Sequence, residues 1–367
     1  MKIAVFHQLH KGGARRATNE FAKELRKLGH EVDLFTIDSG EKFEEKLFYG
    51  KINLYKFTPK EWKGHDWKTR LYKDTIELIK VFLLDKRIAK DIENENYDLS
   101  FISASVFIES PFILRFLSIP KFFYCHDPYY RIIYEPDLFN KTGISKTKLF
   151  YEQLNRFFRK QIDRWNIKKA DHIIFNSQFT KELFEKTYKI SGRVSYIGVD
   201  TDYFKPANIK KEIDLMYIGS HDFLDGYQLF KDIVEKVKIK VKIRTVLFED
   251  EWLIDSQLLE LYQRSKILVA TAFREPLGLV PLEAMSCGMA IVAVDDGGHG
   301  ETVVDGKTGF VIENNPQKIA EKIEWLLNNP DALNKMSTNA RKHIEENWNW
   351  KKRGKELEKL LLNNYKR

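Results

Sequence analysis

The sequence is poor in cysteine and has no long apolar run. Cys125 and Cys287 are its two cysteines among 367 residues, and they lie in different halves of the chain. This pattern argues against a disulfide framework and against a cysteine-based metal site. A bilayer span takes roughly 18 to 20 consecutive apolar residues, and no stretch of the sequence approaches that length. Since Met1 leads directly into a strand-like run, no signal peptide is expected, and the cytosol is the expected compartment.

Two nucleotide-binding fingerprints are also missing. The chain begins with a strand-like run, a Gly12-Gly13 loop, a helical stretch from about Arg16 to Leu28 and a second strand-like run at 32–36. This is the order of a half-Rossmann unit. The glycines do not have the G-x-G-x-x-G spacing, and no Walker loop occurs, which argues against hydride transfer and ATP chemistry. On its own, a Gly-Gly pair is more often a tight turn between a strand and a helix.

Length and pattern predict two α/β domains. The chain is about twice the usual domain size of roughly 100 to 200 residues, and 43% of its residues are hydrophobic. Strand-like and helix-like runs alternate, as is typical of parallel sheets. The predicted domains are 1–205 and 206–347, followed by a C-terminal helix at 348–367.

Positive charge is concentrated in the N-terminal half. Residues 1–206 carry 37 Lys and Arg against 28 Asp and Glu, whereas the remainder carries 24 against 25. Within the segment 141–170, nine basic and two acidic residues are interleaved with aromatic ones. A basic amphipathic helix here could lie on an anionic membrane surface. One alternative is an ordinary solvated helix with its apolar stripe on the core. Another is a surface for nucleic acid, which is not an expected partner because no recognition motif for it occurs.

Two carboxylates lie eight positions apart around a glycine turn. A strand-like run at 267–271 precedes Glu275, while Pro281 and Gly288 bracket a predicted short helix that carries Glu283 in its first turn. A loop carboxylate can accept hydrogen bonds from sugar hydroxyls, and the amides of a helix N-terminus can hold a phosphate. The spacing therefore suits a sugar nucleotide. The alternative is that Glu283 only complements the helix dipole and that Glu275 is solvated.

The residues that follow make the pattern specific. A strand-like run at 290–294 leads into Gly297-Gly298-His299-Gly300-Glu301, and a Gly-Phe pair begins at Gly309. The order Glu, seven residues, Glu, a Gly-Gly-x-x-Glu turn and a Gly-Phe strand resembles the C-terminal domain of retaining glycosyltransferases of family four. The resemblance implies the α/β GT-B fold, with two Rossmann-like domains facing a cleft and a C-terminal helix that crosses back to the first domain. The segment 196–206 is similar to the family's interdomain segment, and 170–177 to its last N-terminal strand.

The resemblance also implies roles for individual residues. It places Glu275 at the donor sugar and Glu283 at the nucleotide ribose, and it places His126 near the donor sugar and the acceptor. Glu275 and His126 are the predicted catalytic residues. The imidazole could change charge near neutral pH, although a strand-end histidine satisfied by backbone is the alternative. The other predicted donor-binding residues are Gly12, Gly13, Arg15, Arg16, Gly219, Arg244, Pro276, Leu277, Gly278, Leu279 and Val280. No metal ligand and no cofactor is expected, because the family holds the diphosphate with backbone amides and basic side chains.

One pair of positions departs from the family pattern. The family usually has an Arg directly after the Gly that ends the first strand of the second domain, and a Lys before the next Gly. Ser220 and Asp225 stand at these places, so both diphosphate-binding cations are missing. Removing partners from a buried charged group typically costs about 2 to 5 kcal/mol. Candidates for a substitute cation are Arg15, Arg16, Arg244, His221 and Arg274.

The sequence thus predicts a retaining hexosyltransferase that moves a sugar from a nucleotide-diphosphate donor to a hydroxyl acceptor in glycan or glycolipid assembly. One alternative is a non-catalytic GT-B sugar-binding or partner subunit, which the missing cations favour. Another is a GT-B epimerase or phosphorylase. The predicted location is cytoplasmic, with a peripheral position at the inner face of the cell membrane if the segment 141–170 binds lipid.

Overall fold

The chain divides into two compact units. The structure, a computed structural model, describes residues 1–38, 47–61, 67–126, 145–251 and 253–365. The first unit contains Met1–Asn176, Thr180–Ser195 and Gly354–Arg367, and the second contains Ser177–Phe179 and Tyr196–Arg353. The division before Tyr196 lies slightly earlier than the predicted boundary at 205, and the C-terminal helix is divided between the units at Gly354.

The described part of the first unit is built on a seven-stranded parallel sheet. Its strands are β1 (Lys2–Gln8), β2 (Glu31–Asp38), β3 (Ile52–Lys56), β4 (Leu99–Ser105), β5 (Lys121–Cys125), β6 (His172–Phe175) and β7 (Arg193–Val194). Their order in the sheet is β3-β2-β1-β4-β5-β6-β7. Its described α-helices are α1 (Gly13–Lys27), α2 (Trp67–Tyr72), α3 (Leu78–Glu93), α4 (Lys146–Ile167) and α5 (Gln178–Tyr188). The strand order reverses between β1 and β4, and in such sheets ligands bind beyond the carboxyl ends of the strands at this point.

The second unit has a five-stranded parallel sheet. Its strands are β8 (Ile213–Gly219), β9 (Ile243–Leu247), β10 (Ser265–Ala270), β11 (Ala290–Val294) and β12 (Gly309–Ile312). They are arranged as β12-β11-β10-β8-β9, so the order reverses between β8 and β10. Its α-helices are α6 (Tyr227–Lys236), α7 (Asp255–Arg264), α8 (Leu279–Ser286), α9 (His299–Thr302), α10 (Pro316–Asn328), α11 (Pro330–Asn347) and the start of α12 (Trp350–Tyr365).

Helix α1 shows how the sequence positions the first unit's strand ends. Ala17, Phe21 and Leu25 recur every four residues and are almost fully buried, as expected for the core-facing stripe of a helix. The Phe21 ring packs edge-on against Tyr124 of β5, with 5.4 Å between ring centroids. The helix ends before Gly29, which has a φ of +90°, a conformation that costs glycine little. This packing fixes the helix N-terminus beside the carboxyl ends of β4 and β5.

The central strands of both sheets are buried on both faces. All five residues of β11 are buried, and β10 is apolar from Ile267 to Ala270. Near-continuous apolar runs of this kind are typical of parallel strands covered by helices on both sides. The two parallel sheets confirm the predicted α/β class. None of the described helices is long and apolar enough to cross a membrane.

The last part of α12 packs within the first unit. The His30 Nε2 atom lies 2.8 Å from the Glu358 Oε1 atom, and the Tyr365 hydroxyl donates to Asp98 at 3.0 Å. A Cβ added at Gly354 would lie 2.5 Å from the Glu24 Cβ atom, so glycine permits this close approach. These contacts agree with the predicted return of the C-terminal helix to the first domain.

Candidate functional site

In the second unit, the loops that follow β8 and β10 meet at the carboxyl edge of the sheet. The Phe273 amide donates to the Leu224 carbonyl at 2.7 Å, which ties the two loops together. Gly226 has a φ of +71°, and a Cβ added there would lie 1.9 Å from the Thr271 carbonyl oxygen. Because no larger residue fits at this position, the two loops stay in backbone contact at the point where the strand order reverses.

The Gly297-Gly298 turn supports the loop that carries Glu275. The Gly298 amide donates to the Glu275 carbonyl at 2.6 Å. A Cβ added at Gly297 would lie 2.5 Å from both the Glu275 nitrogen and its carbonyl oxygen, and one at Gly298 would lie 2.5 Å from the Pro276 carbonyl oxygen. The two glycines therefore let the β11 loop lie directly against the backbone of Glu275 and Pro276, while the Glu275 side chain remains half-buried.

The N-terminus of α8 follows this loop immediately. Gly278 precedes the helix with a φ of +86°, and no side chain caps it. The first amides of a helix have no acceptor within the helix, and here they belong to Leu279 and Val280, because Pro281 has no N–H group. Two backbone donors and the positive end of the helix dipole thus lie next to Glu275, an arrangement suited to a phosphate.

Glu283 occupies a different turn of α8 from the predicted one. The helix begins at Leu279 rather than near Pro281, so Glu283 is its fifth residue, and no acidic residue lies in its first turn. The Glu283 side chain is buried, and its Oε2 atom accepts a hydrogen bond from the Tyr262 hydroxyl at 3.0 Å. Complementing the helix dipole therefore does not explain this carboxylate, since that effect acts within the first turn. Tyr262 fixes its orientation.

Glu301, the acid of the Gly-Gly-x-x-Glu turn, has a structural role. Its two carboxylate oxygens accept hydrogen bonds from the Gln178 and Phe179 amides, each at 2.8 Å. The Tyr196 hydroxyl donates to the same carboxylate at 2.8 Å. Three donors thus hold Glu301 within the second unit and tie the segments around Gln178 and Tyr196 to the β11 loop.

Ser220 and Asp225, which replace the expected cations, are bonded to each other. The Ser220 hydroxyl donates to the Asp225 carboxylate and accepts from the Asp222 amide at 3.1 Å. The Tyr217 hydroxyl donates to the Asp225 carbonyl at 2.9 Å. The loop after β8 therefore closes on itself through polar groups, and it presents a carboxylate where the family pattern has a cation.

The other candidate cations of the second unit lie among carboxylates. Arg244 is the second residue of the edge strand β9, and both Glu251 oxygens accept from its guanidinium at 2.6 and 2.8 Å. The His221 amide donates to Glu249 at 3.0 Å. Arg274 is half-buried beside Glu275, with a strained φ of +51°. The structure thus engages Arg244 with Glu251 rather than bringing it together with Glu275 and Glu283.

In the first unit, His126 lies at the carboxyl end of β5. Its Nε2 atom lies 3.0 Å from the Thr18 hydroxyl of α1 and 3.3 Å from the Ser103 hydroxyl of β4. The Asn176 side chain donates to the His126 carbonyl. The Thr18 hydroxyl also lies 2.9 Å from the Ser103 hydroxyl, so the imidazole and the two hydroxyls form one hydrogen-bonded cluster. The imidazole is therefore held by side chains from two neighbouring elements.

The expectation that His126 changes charge near neutral pH is wrong. Burial, with a smaller contribution from the nearby His7, lowers the pKa of His126 to about 3. The imidazole is neutral at physiological pH and can act as a hydrogen-bond donor or acceptor but not as a charge switch.

The glycine loop of the first unit adjoins a small cleft at the carboxyl ends of β1 and β2. Gly12 has a φ of +156°, and Gly13 is the first residue of α1. The cleft has a cavity volume of about 20 Å³. Its lining includes Gln8, His10, Arg15 and Thr36. Arg15 is buried in this lining, whereas Arg16, one residue further along the helix, is half-buried.

Several residues that shape these sites were not predicted. Tyr262 holds Glu283, and Thr18 and Ser103 hold His126. His7 ends in the same region because β1, β4 and β5 are neighbours in the sheet. The parallel order of the strands could have pointed to the residues near strand ends, but the sequence carries no signal for Tyr262.

Comparison with known families identifies both halves of the chain. Residues 11–203 match the family model described as Glycosyltransferase Family 4, and residues 203–343 match the one described as Glycosyl transferases group 1. The first match alone covers more than half of the chain. The second match contains the Glu275–Glu283 motif, on which the resemblance in the sequence was based.

Individual proteins are similar to this chain in sequence or in fold. Alpha-maltose-1-phosphate synthase of Mycolicibacterium smegmatis is 31% identical over 134 residues, which are 34% of this chain and 35% of that protein. The chain spans less than two thirds of the length of the first curated relatives it matches. Sucrose-phosphate synthase from Thermosynechococcus elongatus has the same fold, with a TM-score of 0.73, 14% identity and coverage of 99% and 98% of the two chains. Anabaena Alr3699/HepE, solved with UDP and glucose, gives a TM-score of 0.65 at 18% identity and covers 98% and 99%.

Proposed function

This chain belongs to glycosyltransferase family 4, and we propose that it transfers a hexose from a nucleoside-diphosphate donor to a hydroxyl acceptor with retention of anomeric configuration. The observation that carries the proposal is the arrangement at the carboxyl edge of β10. There the Glu275 loop, the N-terminus of α8 and the buried Glu283 follow one another within the second unit. The acceptor belongs to glycan or glycolipid assembly in this proposal.

Each part of that edge suits one part of the donor. The Leu279 and Val280 amides would hold the diphosphate, because a helix N-terminus stabilises negative charge. The Glu283 carboxylate, oriented by Tyr262, would accept hydrogen bonds from the ribose hydroxyls. The Glu275 carboxylate would accept them from the sugar. The Anabaena neighbour that holds UDP and glucose supports a nucleotide-sugar donor.

The proposed transfer needs positioning and electrostatic stabilisation rather than a covalent intermediate. The bond between the sugar C1 atom and the diphosphate oxygen breaks, and the acceptor oxygen bonds to C1 from the same face. The leaving phosphate oxygen takes the acceptor's proton. Neutral His126 would donate or accept a hydrogen bond at a sugar or acceptor hydroxyl. In this proposal no metal takes part, because the helix amides and basic side chains balance the charge of the leaving diphosphate.

The proposal includes a cytoplasmic location at the inner face of the cell membrane. That leaflet carries anionic lipids, which attract basic segments near its surface. The nine basic residues of 141–170 support this part of the proposal.

A second candidate function is a non-catalytic binding subunit of the same fold. The bonded pair of Ser220 and Asp225 favours it, because a carboxylate at the expected diphosphate position opposes an anionic donor. An epimerase or phosphorylase of the same fold remains the third alternative from the sequence, and product analysis separates it from a transferase.

Thermal unfolding in a panel of nucleotide sugars tests the proposal. A ligand present at 100 times its dissociation constant should stabilise the protein by about 2.7 kcal/mol. The stabilising donor is then incubated with the protein, and NMR of the released or transferred sugar gives the configuration at C1. Retention at C1 supports the proposal. Binding without turnover would favour the non-catalytic subunit, and an inverted product would exclude a retaining enzyme.

A further inference from the structure

Helix α4 exposes an apolar face. Phe150 is 68% exposed, Leu154 is 44% exposed, and Phe157, Phe158 and Trp165 are each 55% exposed. At 3.6 residues per turn these five positions fall within an arc of about 100° on one side of the helix. A large exposed apolar patch on a soluble domain marks a surface that contacts a partner or a membrane.

The opposite side of α4 contacts the first unit mainly through polar groups. Arg159 pairs with Asp74 at 2.8 Å, and the Tyr151 hydroxyl donates to the same carboxylate at 2.9 Å. Further along, the buried Asp163 accepts from the Ser110 amide at 3.0 Å, and the buried Asn166 donates to the Ser110 carbonyl at 2.7 Å. These polar contacts attach α4 to the first unit, a role that an apolar stripe usually has in a surface helix.

The charged residues on this side of α4 form a network of ion pairs around Asp74. Arg70 also contacts Asp74 at 2.6 Å and reaches Glu152 of α4 at 3.4 Å. Burial by itself would raise the pKa of Asp74, but the charges of Arg159 and Arg70 outweigh it and hold the pKa below its ordinary value. The carboxylate therefore stays ionised between two guanidinium groups, and the orientation of α4 is fixed by charge.

The polarity of α4 is thus the reverse of an ordinary surface helix. The expectation of a solvated helix with its apolar stripe on the core is wrong for the described part of 141–170; residues 141–144 lie outside the described residues. Ile162 and Ile167 supply the smaller apolar contact with the cores of the unit. Burying these aromatic side chains in a membrane or against a partner would stabilise the protein in proportion to the apolar area removed from water.

A row of cations runs beside the aromatic face. Arg156, Lys160 and Arg164 recur every four residues along α4, a spacing at which like charges repel. Burial and the charges of Arg164 and Arg156 together lower the pKa of Lys160. The row gives this flank of α4 a positive charge, which suits a negatively charged surface.

We propose that the aromatic face of α4 inserts into the interfacial layer of an anionic membrane, with the cation row beside it at the lipid headgroups. The combination of aromatic side chains and a basic flank is that of an interfacial helix. The neighbouring α2 adds the exposed Trp67 and Leu71 on either side of Arg70, the partner of α4. This inference deepens the proposed membrane location and is independent of the transfer reaction.

Vesicle co-sedimentation of the full chain tests the proposal. The probes are vesicles of phosphatidylcholine alone and of phosphatidylcholine mixed with phosphatidylglycerol. The wild type should prefer the anionic vesicles at low salt, and the preference should fall as the Debye length shrinks from about 30 Å at 0.01 M to about 3 Å at 1 M. The variant Phe150→Ser/Phe157→Ser should bind the anionic vesicles at least about tenfold more weakly.

Matched variants distinguish insertion of the aromatic face from nonspecific adsorption through exposed apolar side chains. Trp325→Ser/Leu362→Ser removes two exposed apolar side chains from α10 and α12 and should bind like the wild type. Arg156→Gln/Arg164→Gln should lose the preference for anionic lipid. Thermal unfolding confirms that each variant is folded, and Phe158→Ser provides a milder change if the double variant is not.

Two results would overturn the inference. The first is wild-type binding to neither vesicle at low salt. The second is a dimer in sedimentation velocity that the Phe150→Ser/Phe157→Ser variant abolishes while its vesicle binding is unchanged, because a second copy would then be the occupant. Donor turnover without lipid tests the proposed function separately, so failure of one idea can be distinguished from failure of the other.

Discussion

At the scale of single residues, the two glutamates of the motif have different surroundings. Glu283 is buried under the Tyr262 hydroxyl, whereas Glu275 is half-buried on a loop. We expect Glu283→Ala to weaken binding of the free nucleoside diphosphate, because the ribose contact is lost. Glu275→Gln should leave that affinity almost unchanged and mainly slow transfer. Isothermal titration with the nucleoside diphosphate, together with donor turnover, distinguishes the two roles.

Tyr262→Phe is the matched control for this pair. It removes only the hydroxyl that orients Glu283, so its loss of nucleotide affinity should be smaller than that of Glu283→Ala. A net hydrogen bond of this kind is worth about 0.5 to 1.5 kcal/mol, or roughly two- to tenfold in affinity. Unchanged affinity in Glu283→Ala would remove the ribose role.

His126 predicts a window of acid sensitivity. Its folded-state pKa is about 3, below the ordinary value near 6.5, so between these pH values the unfolded chain binds a proton that the folded chain does not. Stability should therefore fall as pH drops through this window, by about 1.4 kcal/mol per pH unit for one group. Urea unfolding from pH 7 to pH 4 should give a shallower slope for His126→Gln than for the wild type.

The exposed His221 offers a control for that experiment. His221→Gln replaces a histidine that is not buried, so it controls for the effect of a His→Gln change as such. The buried His299, whose pKa burial lowers to about 4, remains in every variant and accounts for a residual slope. Equal slopes for His126→Gln and the wild type would mean that the pKa of His126 is the same in the folded and unfolded chain.

At the scale of elements, Gly297 and Gly300, both in the segment that follows β11, make a matched pair for substitution by alanine. Ala at Gly297 would place its Cβ 2.5 Å from the Glu275 backbone, at a φ of +69°, whereas Gly300 has open space around its Cβ position. Gly297→Ala should destabilise the fold by about 1 to 3 kcal/mol and lower donor turnover, because the Glu275 loop must move. Gly300→Ala lies in α9 and should be neutral or stabilising by up to about 1 kcal/mol.

Denaturant unfolding and turnover of both variants check this prediction. A Gly297→Ala protein with wild-type turnover would show that the position of the Glu275 loop does not matter for transfer. Similar losses in both variants would instead point to a general effect of changing the loop.

The sequence predicted elements best where one signal dominates. The strand at 290–294 was predicted with the bounds it has, because an apolar β-branched run lies between Gly288 and a pair of aspartates. The start of α8 was missed because Pro281, expected at the beginning of the helix, is its third residue. The segment 170–177 was expected to hold the last strand of the first domain, but the two-residue β7 follows it, and so short a strand has no detectable period.

The orientation of α4 could not be predicted from its sequence. A helical wheel shows an apolar stripe and a polar side, but it does not say which side faces the protein. The answer lies in Asp74 and Ser110, which are far from α4 in sequence and contact its polar side. Tyr262 and Thr18 could not be predicted for the same reason. Tyr262 holds Glu283 and Thr18 holds His126, but each lies far in sequence from the residue that it contacts.

At the scale of the whole molecule, the position of positive charge matters more than its sum. The second unit has Ser220 and Asp225 at the expected cation positions, and Arg244 is engaged with Glu251. If the chain is a transferase, a cation from elsewhere must balance the diphosphate, and we expect Arg15 and Arg16 beside the Gly12-Gly13 loop to supply it. Arg15→Gln/Arg16→Gln should raise the donor KM and lower kcat together, by roughly tenfold or more in kcat/KM if each lost charge contact is worth about 1.5 to 3 kcal/mol.

Arg244→Gln is the control for the arginine pair, because Arg244 lies on the edge strand β9, where its guanidinium pairs with Glu251. It should change kcat/KM less than the double variant does. Because Arg15 is buried, thermal unfolding of the single variants shows whether lost activity reflects lost structure. Wild-type kinetics in the folded double variant, with a verified donor, would exclude these arginines as the compensating cations.

Restoring the family pattern tests whether the second unit still offers a place for a diphosphate. Ser220→Arg/Asp225→Lys breaks the hydrogen bond between the two side chains and replaces a negative charge with two positive ones. If the Leu279 and Val280 amides hold the diphosphate, the added cations lie at the same sheet edge and should tighten binding of the free nucleoside diphosphate by at least about tenfold. Ser220→Ala/Asp225→Asn, which breaks the bond without adding cations, should tighten it less. Isothermal titration of both variants measures the difference. No gain in the cationic variant would mean that this edge no longer receives a diphosphate, and it would move the chain toward the non-catalytic function.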